Sequence, residues 1–301
     1  MPAPAMARRM KIAALPRLAG FLWRNPLVRR DPLGAAARLV RWQMAARRGA
    51  MLDAPWVEGP AGAVRLRLRR GLSSATACWY AGLTDPAEMG FVLQALRADD
   101  RMVDVGANVG VYAALAAGAV GARVLALEPA AETLPHLRAM VALNGIADRV
   151  TIRAVAAGAA PGVLRFTAGR GTTNRAAADG AVDVAVETLD ALCADAPPLL
   201  VKVDVEGAEP EVLAGAAGLL AGDALKAVIL ETAGATDTAV EHTMRAAGFA
   251  PFAHDPFRRA LTPLAGPARP NTLYLRDVGF WEARLAAAPP IRVFGRALQA
   301  G

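Results

Sequence analysis

Cysteine is scarce in this chain of 301 residues: only Cys78 and Cys193 occur, far apart and without metal-ligand spacing. Two reduced thiols in a cytosolic protein are the simplest reading, and a disulfide between them is the alternative, with nothing in the sequence to support it. Long apolar runs are missing too. Apolar residues make up 54% of the chain, yet the most apolar window, residues 111–127, is broken by Gly118, Gly121 and Arg123. It falls short of the ~20 residues a bilayer span needs. At the start, the basic residues Arg8, Arg9 and Lys11 are followed by Pro16 and Arg17 before an apolar leader core has formed, so no secretory leader is expected. Acidic residues are nearly absent from the first fifty positions, which hold eleven Lys/Arg against the single acid Asp31 and outweigh the whole net charge of +7. Such a basic arm suits an anionic membrane surface or a polyanion, or is a solvated arginine-rich helix. Of the three histidines, His136, His242 and His254, only His254 beside Asp255 is a catalytic candidate, and a packing role is expected even there.

What is present is alternation of strand and helix patterns on a chain long enough for one large α/β domain with an appendage. Residues 33–48 read as an amphipathic helix whose apolar and aromatic face docks on the main domain. Residues 63–69 alternate apolar and basic side chains as a half-exposed strand does, and Trp79-Tyr80 follow as a lead-in strand packed on the core, or as a platform for an adenine or a substrate. Thr84-Asp85-Pro86 opens a helix to residue 96. Strands are then expected at 101–105, 122–127 and 150–155. An inserted hairpin at 163–167 and 182–186 encloses a polar loop, 169–180, with the character of a lid. Strands at 199–203 and 226–230 follow, with a helix from Pro210 to about Leu220 between them. A terminal hairpin at 249–253 and 272–275 suggests an antiparallel edge strand.

The chemistry concentrates at two strand ends. Met102-Val103-Asp104-Val105 is a short strand ending in an acid, and Gly106-Ala107-Asn108-Val109-Gly110 turns it into a helix, the nucleoside-binding corner of a doubly wound sheet. A carboxylate there repels pyrophosphate but suits a cation, and Asp104 could accept from the ammonium of S-adenosylmethionine directly or through a water. Glu128, after the second strand, stands where an acid bonds a ribose diol. That spacing also occurs in NAD enzymes. The second constellation is Lys202-Val203-Asp204-Val205-Glu206-Gly207-Ala208-Glu209, whose charged residues on alternate positions share one side of a strand end. Asp204 or Glu206 is a candidate base and Lys202 a candidate for orienting an acceptor or stabilising an alkoxide. The competing reading makes Asp204, Glu206 and Glu209, with Glu231, a magnesium or calcium site.

Asp-Val-Gly-Ala-Asn-Val-Gly, the Glu128-Pro129 pair and Lys-Val-Asp-Val-Glu-Gly-Ala-Glu together resemble the FkbM family of S-adenosylmethionine-dependent methyltransferases. Thr84-Asp85-Pro86, Glu187-Thr188-Leu189-Asp190 and Asn271-Thr272-Leu273-Tyr274 support the resemblance, which covers about residues 76–276; Leu127 departs from it where an aromatic residue is common. It implies an α/β class I methyltransferase fold, with a Rossmann-like seven-stranded, mostly parallel sheet whose last strand is antiparallel. It also implies O-methylation of a hydroxyl on a small metabolite or glycan, with Asp104, Gly106, Asn108, Gly110 and Glu128 holding the cofactor and Lys202, Asp204 and Glu206 at the acceptor. The expected organisation is a basic N-terminal extension (1–75), the methyltransferase domain (76–276) and a tail (277–301). A nucleic-acid substrate is not expected, and the location is read as cytoplasmic, peripheral to a membrane if the basic arm docks there. An NAD(P)-dependent oxidoreductase and a non-catalytic S-adenosylmethionine binder tethered by the basic arm are the alternatives.

Overall fold

Helix and strand patterns alternate along the computed structural model, which describes residues 15–167, 180, 182–205, 207–231, 237–265 and 271–299. Three helices come first, α1 (Leu15–Arg24), α2 (Pro26–Arg30) and α3 (Pro32–Arg47). Asn25 and Asp31 punctuate them, accepting from Leu27 N and Gly34 N respectively, each with proline at the helix start where no N–H is needed. An antiparallel pair follows, β1 (Leu52–Gly59) and β2 (Gly62–Leu68), in which Val64, Leu66 and Leu68 face inward between the arginines. Helices α4 (Ser73–Ala81) and α5 (Pro86–Ala95) lead to β3 (Arg101–Val105). A short α6 (Val111–Ala113) then runs on as a π-helical stretch (Ala114–Val120), followed by β4 (Arg123–Leu127), α7 (Leu134–Leu143) and β5 (Val150–Arg153).

A small inserted sheet comprises β6 (Ala156–Ala157), β7 (Gly162–Phe166) and β8 (Val182–Glu187). Beyond it lie α8 (Leu189–Leu192), β9 (Leu200–Val203), α9 (Glu209–Ala214), α10 (Ala217–Ala221), β10 (Ala227–Glu231) and α11 (Asp237–Ala246). The chain finishes with β11 (Ala250–Asp255), β12 (Ala260–Pro263), β13 (Asn271–Leu275), α12 (Val278–Ala286), β14 (Arg292–Val293) and β15 (Arg296–Ala297). β14 pairs with β1, so the segment after residue 277 completes a four-stranded sheet with the residues before 75.

The main sheet has the order β12-β11-β13-β10-β9-β3-β4-β5, a mixed and mostly parallel arrangement. Alternate side chains of its strands feed two cores. Met102, Val124, Leu200 and Ile229 pack under α5, the π-helical stretch and α7, whereas Val103, Leu127, Val201 and Leu230 pack against α9 to α11. The alternation of βα units explains this three-layer form.

Several expectations are corrected. Among the described residues the main sheet has eight strands, not seven: β12 folds back on β11, and its sequence Ala-Leu-Thr-Pro, largely exposed, carries no period-two apolar signal. The antiparallel β13 is not an edge strand, because it is inserted between β10 and β11. The single helix expected from residue 210 is two, since Asp190 N takes the Gly215 carbonyl at the break and the Asp190 carboxylate caps α10 through Gly218 N and Leu219 N. Trp79 and Tyr80 lie on helix α4, where Trp79 Nε1 donates to Arg38 O and Gln43 Nε2 to the Tyr80 hydroxyl; they anchor α3. Only part of the apolar surface of α3 is docked: Trp42 and Ala35 are buried, but Leu33, Val40 and Met44 face outward.

Candidate active site

Register assembles a polar cluster on one face of the sheet. Asp104 on β3 pairs directly with Lys202 on β9, Lys202 with Ile229 on β10, and Glu231 with Asn271 on β13. Residues two apart share a face, so Asp104, Lys202, Asp204, Glu231 and Asn271, from four neighbouring strands, project to the same side. The start of α5 meets them there: Asp85 accepts from Thr84 Oγ1 at 2.9 Å and from Asn271 Nδ2 at 3.2 Å.

This cluster forms one end of a cavity of about 400 Å³, within the range of small-molecule sites. The cavity lies at the carboxyl ends of β3 and β9, the crevice in which open α/β sheets bind ligands. The turn after β3 and Glu128 line its other end, with Leu164 and Phe166 of β7 as apolar wall. The turn is held from within. Gly106 N and Ala107 N both donate to Leu127 O, Asn108 N to Glu128 Oε2 at 2.8 Å, Val109 N to Asn108 Oδ1, and Gly110 N to Ala107 O. Gly106 and Gly110 adopt left-handed φ of 75° and 83°, and Asn108, at 51°, is the side chain that tolerates this best.

Among the described residues that line the cavity four are carboxylates, Asp85, Glu128, Asp204 and Glu231, and one is a cation, Lys202. Lys202 Nζ lies 3.0 Å from Asp204 Oδ2 and 3.7 Å from Asp104 Oδ1 and sits over the Tyr112 ring. Burial works to lower its pKa, but the attraction of Asp204 and Asp104 outweighs this and holds the ammonium above the usual lysine range. Asp104 is 1% exposed, and neither of its oxygens has a partner in good hydrogen-bond geometry; burial raises its pKa against the pull of Lys202 and a weak contact from the Ala113 amide. Burial likewise raises Glu128, although amides of Ala130 and Asn108 oppose the shift, and Asp85. Glu231 stands exposed at its strand end, but its carboxyl is partly withdrawn from solvent, and that desolvation together with the neighbouring Asp204 charge pushes it up to about 8.

A stability test follows from Glu231. Its carboxyl ionises near the ordinary carboxylate pKa when unfolded but resists ionisation when folded, so folding is penalised as pH rises from about 4.5 to about 8 and the penalty is constant above that. Glu231→Gln is therefore expected to melt higher than the parent at about pH 9 and to lose that advantage near pH 4. Melting curves across this window check the sign, and a pH-independent difference would contradict the assignment.

The structure brings together Lys202, Asp204, Gly106, Asn108 and Glu128 around the cavity, while Asp104 lies beneath its lining, linked to it by Lys202. Gly110 turns the chain into α6. Glu206 and the lid-like loop at 169–179 lie outside the described residues. Glu209 is buried, is not among the residues lining the cavity and accepts from Gly207 N, and among the described residues no group of three or more His, Cys, Asp or Glu is placed to hold a metal ion. His254 is buried, its Nδ1 2.8 Å from Ala87 O, with burial pushing its pKa down to about 4; it packs on Phe91 and is not among the residues lining this cavity. Cys78 and Cys193 are both free and buried. Asp85, read as a helix start, and Tyr112, unremarked, belong to the site.

The model of the methyltransferase FkbM domain matches residues 104–262. Solved structures with similarity include the methyltransferase FkbM from Methylobacillus flagellatus KT, at 18% identity and a TM-score of 0.44, covering 67% of this chain and 54% of that one. The chain thus spans about half the length of that relative. Precorrin-6y C5,15-methyltransferase from Geobacter metallireducens GS-15 gives 16% identity and a TM-score of 0.38, with 63% and 87% of the two chains covered. An rRNA methylase from Streptococcus thermophilus gives 16% and 0.37, with 62% and 91% covered. No curated protein matches. With more than half of its length matched by the family model, this chain, whose Glu128 and Asp204 line one cavity, belongs to the FkbM methyltransferase family.

Proposed function

We propose that the chain is an S-adenosylmethionine-dependent O-methyltransferase acting on a hydroxyl of a small metabolite or glycan. The carrying observation is the turn after β3: every backbone N–H from Gly106 to Gly110 already has an acceptor inside the protein. No amide of that turn remains to cradle a pyrophosphate, the device by which dinucleotides are held. The acid-rich lining argues the same way, since among the described lining residues four carboxylates against one ammonium favour a cationic ligand over a polyanion. Glu128 is fixed by Asn108 N and Ala130 N on its two oxygens, and each oxygen keeps a lone pair for a ribose hydroxyl. These residues fit the cofactor.

When bound, S-adenosylmethionine supplies a methyl carbon on a sulfonium, an electrophile for an in-line oxygen nucleophile. The chain's own work is then to seat a hydroxyl and take its proton. Asp204, at the cavity wall, accepts that proton as general base. Lys202 stays protonated, so it serves as the fixed positive charge beside the developing alkoxide and not as a base. Asp85, braced by Thr84 and Asn271, offers the acceptor a further hydrogen-bonding group, and Glu206 is the second candidate base.

Calorimetry with S-adenosylmethionine tests the cofactor, and labelled-methyl transfer to panels of hydroxylated metabolites and glycans tests the reaction. Binding by the parent is expected to weaken about tenfold to a hundredfold in Glu128→Gln, which turns an acceptor oxygen into a donor facing an amide N–H. A thermal shift with NADH and none with S-adenosylhomocysteine would overturn the reading.

A further inference from the structure

The helical arm carries an apolar surface that the fold leaves uncovered. Of the eight large apolar side chains that stand exposed among the described residues, six lie between residues 21 and 51. Trp23 of α1 is 70% exposed, and on α3 Leu33, Val40 and Met44 are 84%, 57% and 49% exposed. Spacings of seven and four put the last three on one helical stripe. Single exposed apolar residues are ordinary, but a stripe of them on one helix marks an interaction surface. This stripe is not a loosely attached segment, because the other side of the arm is fastened. Asn25 Nδ2 donates to Leu83 O at 2.6 Å, Arg38 Nε donates to Trp79 O at 3.0 Å, and Val28, Ala35 and Trp42 are buried.

Beside the stripe lies a shallow groove in which Val40 and Met44 meet Arg41 and Arg48. Arg24, Arg29 and Arg47 are also exposed on the arm, and its single acid, Asp31, is already engaged by Arg38 and Arg296. We infer that this face docks on an anionic lipid surface, with Leu33, Val40 and Met44 entering the headgroup boundary and Arg41 and Arg48 meeting lipid phosphates. Guanidinium groups on flexible stems reach phosphates while their stems lie along apolar surface. Two other occupants fit less well. A second copy on a two-fold axis would set this arginine-rich patch against itself, and a nucleic acid would leave the apolar stripe in water. No helix among the described residues is long and apolar enough to cross a membrane, so the contact would be made in the interface plane. Helix α4 separates this face from the cavity, which Ser73, Ser74 and Ala77 line from its other side, so the inference stands apart from the methyl-transfer reading.

Flotation of the full chain with phosphatidylcholine vesicles, with and without phosphatidylglycerol, tests it. The parent is expected to float with the anionic vesicles and to be released by salt. Val40→Ser with Met44→Ser, and separately Arg41→Gln with Arg48→Gln, should each weaken partitioning about tenfold while leaving the melting temperature and S-adenosylmethionine binding unchanged. Absence of binding by the parent overturns the inference. So does loss of binding in the arginine pair but not the apolar pair, which marks a polyanion face. A dimer that Val40→Ser with Met44→Ser dissolves, without vesicle binding, assigns the face to a second copy instead.

Discussion

Lys202→Met is expected to destabilise the fold by about 3–5 kcal/mol, the range seen when one member of a buried ion pair is removed. Exposed ion pairs are worth about 1 kcal/mol or less, but this one is not exposed. The Lys202 side chain is 6% accessible and that of Asp104 1%. The Ala113 amide offers Asp104 only weak help, so Lys202 Nζ at 3.7 Å is the positive charge that compensates it. Methionine fills the volume of the lysine stem and removes only the charge, which keeps the comparison electrostatic. Adding Asp104→Asn to Lys202→Met should restore half or more of the loss, because the orphaned charge goes with it, and urea unfolding of the two chains measures the difference. The deficit should also shrink with acid. Without Lys202 the folded pKa of Asp104 rises further, a penalty that operates above the unfolded carboxylate pKa and vanishes below it. An unchanged deficit in the double variant would mean that Lys202 acts through packing.

The legible part of this site is the part encoded within single strand-turn-helix units. Asp104, Gly106 and Gly110 announce a binding corner because the acid, the left-handed turn and the helix follow each other within a few residues. Lys202 and Asp204 announce a charged strand end for the same local reason. Asp85 gave no such signal, since its place beside Asn271 depends on the pairing of β10 with β13 and on the packing of α5, contacts separated by 186 residues. Glu231 was visible as a strand end, but only the alignment of β9 with β10 brings it next to Asp204. Trp79 and Tyr80 misled because aromatic residues favour strands in general, whereas here the Ser73–Ala81 segment forms a helix whose aromatic side grips α3. In each case a nonlocal contact decided what local propensity left open.

Gly106→Ala tests whether the corner needs glycine for backbone freedom or for close approach. A left-handed alanine alone costs about 1 kcal/mol. At residue 106, with φ of 75°, an added Cβ would also stand 1.9 Å from the carbonyl oxygen of Asp204, a backbone atom at the end of β9 that no side-chain rotation can move. Relief requires the ends of β3 and β9 to separate, which are the walls that place Glu128 and Lys202 on one cavity. A loss of about 3 kcal/mol or more is therefore expected, the left-handed term plus an overpacking term of about 1–3 kcal/mol, together with loss of S-adenosylmethionine binding. Gly145→Ala supplies the control, because Gly145 has φ of 63° and nothing within 4 Å of the new Cβ. It should lose only the left-handed term and bind the cofactor as the parent does. Equal losses at the two positions would show that the turn, and not the approach of β9, is what excludes a side chain at residue 106; a larger loss at residue 106 alone would tie the shape of the cofactor end to the spacing of two neighbouring strands.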